Sequence, residues 1–200
     1  MIDQYANQIL KKKFELISEY IPNKISANSI TLIGFVIGFF AVYCVSIKYY
    51  LSGLVLILIN RFFDGLDGVI ARKNGVTKLG GYLDITCDFI FYSAVIVGFA
   101  FADLKQNSLA AIFLLFSFVG AGTSFLAFAA IEKEYNLFSN ERGKKAFYYN
   151  RGIVEGTETI VFYIIVCLFP ENFPIVASIF GLLCWLTVVV RICSAYFLLR

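Results

Sequence analysis

The chain has 200 residues, 60% of them hydrophobic and 18% aromatic, and a formal net charge of only +3. Its 16% of charged residues falls well short of the roughly one quarter usual in soluble domains, which argues against a cytosolic or nuclear globular protein and for an integral membrane protein with one compact domain. There is no histidine. Ser-His-Asp catalysis, histidine-ligated zinc and histidine pH switching therefore drop out together, and chemistry is left to carboxylates, basic residues and bound ions.

Residues 1–21 are too polar for a signal peptide, and their lysines follow the apolar residues rather than precede them. Leu10, Phe14, Ile17 and Ile21 form a helical stripe beside Lys11, Lys12 and Lys13, and Pro22 ends it, so an amphipathic helix at the membrane surface is expected, with residues 22–200 as a six-helix transmembrane domain. Six segments approach the roughly 20 apolar residues that a crossing helix needs: 28–47, 51–71, 79–102, 108–131, 152–169 and 174–198. The five cysteines, Cys44, Cys87, Cys167, Cys184 and Cys193, lie in these apolar stretches without a C-x-x-C pair, and read as small buried or lipid-facing side chains.

Lysine and arginine set the expected orientation. Lys11, Lys12, Lys13 and Lys24 precede span one; Arg72, Lys73 and Lys78 follow span two; Lys133, Arg142, Lys144, Lys145 and Arg151 follow span four; the chain ends in Arg200. The intervening loops hold Lys48, Lys105 and, in PENFP, no basic residue. Both termini and the second and fourth loops are therefore expected in the cytoplasm.

Span two ends in DGLDGVIAR and span three opens with GGYLDITCD. At the helical rise of 1.5 Å per residue, Asp64 and Asp67 lie roughly 10 and 6 Å inside the cytoplasmic boundary, and Asp84 and Asp88 roughly 8 and 13 Å. The first pair is spaced i,i+3 and the second i,i+4, so each shares a helix face and the two faces can meet as a four-carboxylate cluster. Such a cluster near lipid needs neutralising charge, and oxygen-only ligands suit two divalent cations, Mg²⁺ or Mn²⁺. Two other arrangements would also use these carboxylates: structural pairing with Arg61, Arg72 and Arg191, or a cation transporter or channel. The arginines are too few to balance the acids, and a channel calls for a ring of charge around an axis. Gly68 leaves the helix surface beside Asp64 and Asp67 without a side chain, and Arg72 lies one turn beyond it within reach of a phosphate. A dinuclear site of this kind can bridge a phosphoryl group, with a spare aspartate to accept a proton.

The pattern D-G-L-D-G-V-I-A-R followed by G-G-Y-L-D-I-T-C-D resembles the signature of the CDP-alcohol phosphotransferases, D-x-x-D-G-x-x-A-R and then G-x-x-x-D-x-x-x-D. Asp64, Asp67, Gly68, Ala71, Arg72, Gly80, Asp84 and Asp88 match it; the spacer from Arg72 to Gly80 holds seven residues where eight is usual, a departure confined to the loop. The resemblance implies a membrane enzyme that moves a phospho-alcohol unit from a CDP-alcohol to an acceptor hydroxyl and releases CMP. It also implies two divalent ions and a homodimer. By position it makes Asp64, Asp67 and Asp84 metal ligands and Asp88 the general base, also within reach of a metal. Gly68, Ala71, Arg72 and Gly80 border the cytidine nucleotide along with Asp64, and Asn28 and Thr31 flank it at the start of span one, where a helix N-cap accounts for Asn28 equally well.

The donor expected is CDP-diacylglycerol, with another CDP-alcohol such as CDP-choline as the alternative; no nucleic-acid partner is expected. Acceptor contacts are sought in Lys144, Lys145, Arg151, Glu155 and Glu158, where Arg151 and Glu155 are also spaced to pair as i,i+4. An anionic acceptor would use the basic groups, serine both signs, and choline the glutamates or the rings of Tyr148 and Tyr149. A bacterial inner membrane, with the active site toward the cytoplasm, is the expected location.

Overall fold

The computed structural model describes residues 14, 16–22, 26–134, 152 and 154–199. Among them the chain is a helical bundle: α1 (Ala27–Ser46), α2 (Tyr50–Asn74), α3 (Lys78–Ala102), α4 (Leu104–Glu134), α5 (Gly156–Leu168) and α6 (Phe173–Leu199), with a 3₁₀ turn at Pro170–Asn172. Four stretches are long and apolar enough to cross a membrane: Ala27–Ser46, Lys78–Ala102, Leu104–Ile131 and Pro170–Phe197. The segments expected at 51–71 and 152–169 differ. The first is a 25-residue helix with charges in its second half. The second starts only at Gly156 and runs for 13 residues, because Glu155 caps it rather than continuing it.

α1 begins where Ser26, in extended backbone, accepts a hydrogen bond from Ser29 N at 3.1 Å, so Ser26 and not Asn28 is the N-cap. Its buried stripe is Ile30, Gly34, Gly38, Ala41 and Val45, at helical spacing. Small residues let it wedge between α2 and α3. A Cβ on Gly34 would stand 2.9 Å from Phe63 Cβ, and one on Gly38 would stand 2.6 Å from the Phe91 ring. α4 and α6 pair in the same way, with Gly120 under Trp185 and Gly181 under Phe113. α5 sits against α2 and α6. Phe162 stacks on Phe180 with centroids 4.6 Å apart, and Phe173 stacks on Phe99 at 4.7 Å.

The turns alternate between the two ends of the bundle. Lys48, which adopts φ +67, pairs with Asp103 at 3.9 Å, and Gln106 Nε2 donates to the Glu171 carbonyl, so these three connections share one end. The α2–α3 connection lies at the other end. It is only Gly75–Thr77, with Gly75 at φ +104, a conformation that favours glycine. Thr77 then caps α3 by accepting from Gly80 N at 3.0 Å. This is the path of the seven-residue spacer. The bundle's outer surface is apolar: Phe40, Leu51, Leu109, Ile112 and Leu182 are all at least 60% exposed, as lipid-facing side chains are.

Of residues 1–21, expected at the membrane surface, 16–19 are helical. Phe14 packs on the Phe62 ring and against Gly65, Ser18 is buried, and Ile21 joins Ile30, Leu66 and Ile70 in a small core. Lys73 Nζ donates to the Ser18 carbonyl at 3.0 Å. Ile17, expected in the apolar stripe, is 37% exposed, so the face turned to the bundle is set by Phe14, Ser18 and Ile21. Leu10, Lys11, Lys12 and Lys13 lie outside the described residues.

The glycine contacts predict unequal tolerance. Gly38→Val overpacks the Phe91 ring at a cost of about 1–3 kcal/mol, which should lower the melting temperature in detergent by about 2–10 °C. Gly81→Ala, with nothing among the described residues within 4 Å of the new Cβ, should leave that temperature unchanged or raise it slightly.

Candidate active site

The site lies where the aspartate-bearing halves of α2 and α3 meet the start of α1. On α2, Asp64, Asp67, Gly68, Ala71 and Arg72 rise along one face; on α3, Gly80, Asp84 and Asp88 do the same, one turn apart. Asp67 is 4% exposed and accepts a hydrogen bond through Oδ2 from Thr31 Oγ1, which also lies 3.1 Å from the Ala27 carbonyl. Thr31 therefore acts here by orienting an aspartate. Asp64 and Asp88 are half-buried and Asp84 is exposed.

Asp64, Asp67 and Asp84 each offer a carboxylate oxygen, and these atoms lie within 4.8 Å of one another. An all-oxygen set on two rigid helices fits a hard divalent cation such as Mg²⁺ or Mn²⁺. Asp88 belongs to a different contact: its Oδ1 accepts from Arg61 Nη2 at 2.8 Å. The Arg61 Nη1 also stands 3.4 Å from Asp64 Oδ2. Arginine pairing, one of the arrangements weighed from the sequence, thus operates through Arg61 at two of the four aspartates.

The two glycines of DGLDG have different surroundings. Gly65 is covered by the Phe14 ring, 2.8 Å from where its Cβ would be, so it serves packing. Among the described residues Gly68 has only the Arg72 guanidinium nearby, at 3.4 Å, which leaves the surface beside the aspartates free of other side chains. Gly80 lets Asn28 approach, since a Cβ there would lie 3.0 Å from Asn28 Oδ1. A small cleft between α1, α2 and α3 opens beside these groups, lined by Thr31, Asn60, Arg61, Asp64, Asp67 and Asp88 among others.

The residues sought for an acceptor divide. Lys144, Lys145 and Arg151 lie outside the described residues. Glu155 and Glu158 form a reciprocal cap on α5: each side chain accepts from the other's backbone N–H, and Glu155 Oε1 also accepts from Gly152 N at 3.1 Å. Arg191, buried at 8% exposure, donates to the Ala121 carbonyl at 3.0 Å and approaches Gly152.

Asn60 and Tyr92 were not singled out from the sequence, yet both touch Arg61. Their signal was present. Arg61 precedes Asp64 by three residues and Tyr92 follows Asp88 by four, so each face extends one turn deeper into the bundle.

Comparison with known proteins agrees with this geometry. Residues 20–193 match the family model of the CDP-alcohol phosphatidyltransferases. The chain is 47% identical over 176 residues to the inner membrane protein YnjF of Escherichia coli, covering 88% of this chain and 85% of that protein. It is 28% identical over 172 residues to an archaetidylinositol phosphate synthase of Pyrococcus horikoshii, covering 86% and 84%. The fold is that of the Mycobacterium tuberculosis phosphatidylinositol phosphate synthase with CDP-DAG bound: TM-score 0.62, 19% identity, 86% of this chain and 87% of that one. The same synthase with manganese and citrate gives a TM-score of 0.61 at 19% identity, over 86% and 83%. With its apolar helices and a relative named for the inner membrane, the protein is an integral membrane protein. By motif, fold and sequence relationship, the chain belongs to the CDP-alcohol phosphatidyltransferase family.

Proposed function

We propose that the protein transfers a phosphatidyl group from CDP-diacylglycerol to the hydroxyl of a small polar acceptor and releases CMP. The observation that carries this reading is the convergence of Asp64, Asp67 and Asp84 beside the open surface of Gly68 and the Arg72 guanidinium. A divalent pair held there would draw charge from the diphosphate and favour departure of CMP. Arg72 binds a phosphate of the nucleotide, and the absence of a side chain at Gly68 leaves room for the cytidine. The acceptor oxygen forms a bond to the phosphorus that carries the diacylglycerol, the bond from that phosphorus to the CMP oxygen breaks, and the hydroxyl proton passes to Asp88.

An anionic acceptor of the inositol phosphate class is the best-supported choice. Two relatives are named as inositol phosphate lipid synthases. The caps formed by Glu155 and Glu158 engage carboxylates that a cationic acceptor such as choline would need. Lys144, Lys145 and Arg151 supply charge of the right sign for a phosphate. The setting proposed is six crossings with both termini in the cytoplasm, the site at the cytoplasmic face of a bacterial inner membrane, two Mg²⁺ or Mn²⁺ ions, and a homodimer. Residues 1–21 lie along the surface of that membrane.

The test is CMP release by purified protein in detergent with CDP-diacylglycerol, Mn²⁺ and a panel of inositol 1-phosphate, glycerol 3-phosphate, serine, inositol and choline. Release that requires both metal and inositol 1-phosphate is the expected result; release only when CDP-choline replaces CDP-diacylglycerol, with diacylglycerol as the acceptor, or none with any pair, contradicts the reading. Asp88→Asn should lower turnover by about 10²–10⁴-fold with CDP-diacylglycerol affinity largely kept. Near-normal turnover in that variant would remove Asp88 from the role of base. Asp67→Ala should abolish Mn²⁺ binding, read by the loss of the free-ion signal change in electron paramagnetic resonance titrations.

A further inference from the structure

Arg61 is held more tightly than charge neutralisation requires. Its side chain is 10% exposed. A guanidinium presents its donors in one rigid plane, and here three directions of that plane are engaged. Nε donates to Asn60 Oδ1, Nη1 to Tyr92 Oη and Nη2 to Asp88 Oδ1, each at 2.8 Å. Its Cζ lies 4.9 Å from the centroids of both the Phe91 and Tyr92 rings. The partners are themselves fixed. Asn60 Nδ2 donates to the Gly34 carbonyl at 2.8 Å, and Tyr163 Oη donates to the Tyr92 carbonyl at 2.7 Å. Helices α1, α2, α3 and α5 thus all bear on one guanidinium.

A buried guanidinium needs partners for its N–H groups in any case, so part of this scaffold serves burial. The scaffold also fixes a point in space, the position of Asp88 Oδ1. Among the described residues, Oδ1 is the oxygen through which Asp88 is hydrogen-bonded. Meanwhile Asp64, Asp67 and Asp84 converge without it.

We propose that Arg61 is a positioning residue for the transfer reaction: it holds Asp88 by one oxygen, apart from the converging trio, and leaves the other oxygen for the acceptor hydroxyl. The proposal rests on Asp88 being the base. Its second consequence does not. A fixed positive charge beside Asp64 and Asp88 opposes a divalent cation in the same cluster, so removing that charge should tighten metal binding.

The test compares Arg61→Met and Arg61→Lys with the wild-type protein in two assays. In CMP release from CDP-diacylglycerol with the acceptor found by the panel, Arg61→Met should lose about 100-fold in kcat, the loss that roughly an ångström of misplacement produces, with KM for CDP-diacylglycerol within about threefold. Arg61→Lys should recover part of kcat. In Mn²⁺ titration, Arg61→Met should bind about tenfold more tightly, the opposite of what a disrupted fold would do. A kcat within threefold of wild type, or equal losses in kcat and Mn²⁺ affinity, overturns the proposal. If the wild-type protein releases no CMP, the reading of the reaction fails separately; the Mn²⁺ titration then decides whether Arg61 opposes metal, and unchanged or weaker binding overturns it. Where Arg61→Met does not fold, Tyr92→Phe removes one hold on Nη1 and keeps the ring. It should lower kcat about three- to tenfold at unchanged KM, the size of one lost hydrogen bond, and no loss overturns the proposal.

Discussion

Everything in this structure is arranged around the mutual repulsion of four carboxylates on two neighbouring helices in an apolar bundle. Each would be costly in hydrocarbon alone, and bringing them together adds Coulomb repulsion to that cost. The bundle answers in three ways. Arg61 neutralises the deeper edge, at Asp88 and Asp64. The Thr31 hydroxyl steadies Asp67, which is the most buried of the four. Asp84 stays exposed, toward the end where the α2–α3 turn lies. Three oxygens are left convergent, which is the state a hard cation would complete.

Close approach of α1 makes this possible. Gly34 and Gly38 bring its backbone against Phe63 and Phe91, and the Gly34 carbonyl is where Asn60 is tied. The same packing therefore sets helix spacing and, through Asn60, the plane of Arg61. Mutations on the lipid side of α1 should not reach the site; those on the glycine stripe should. At the back of α2, Phe14 fills the hollow over Gly65, so this N-terminal residue braces the helix turn that carries Asp64 and Asp67.

Much of this was legible in the sequence because helical spacing is a strong constraint. Asp64 with Asp67, and Asp84 with Asp88, could only fall on shared faces, and the short loop forces the two helices to be neighbours. The open surface at Gly68, with Arg72 beyond it, followed from the same geometry. What spacing alone does not carry is the choice among partners. Gly65 and Gly68 look alike in DGLDG, yet Phe14, far away in the chain, covers one and not the other. Glu155 has the spacing of a helical ion-pair residue, and spacing does not show that it also forms a reciprocal cap with Glu158, with α5 starting at Gly156. Arg61 was visible as a charge in a span; that it would be pinned by Asn60 and Tyr92 depended on tertiary packing of four helices.

The central claim is that the convergent trio is a divalent metal centre, and the most direct measurement is the anomalous diffraction of Mn²⁺ in crystals of the protein. The account predicts anomalous density within about 2.2 Å of carboxylate oxygens of Asp64, Asp67 and Asp84, between α2 and α3. Crystals soaked in millimolar Mn²⁺ that show no anomalous density at this cluster, or show it only elsewhere in the bundle, would contradict it.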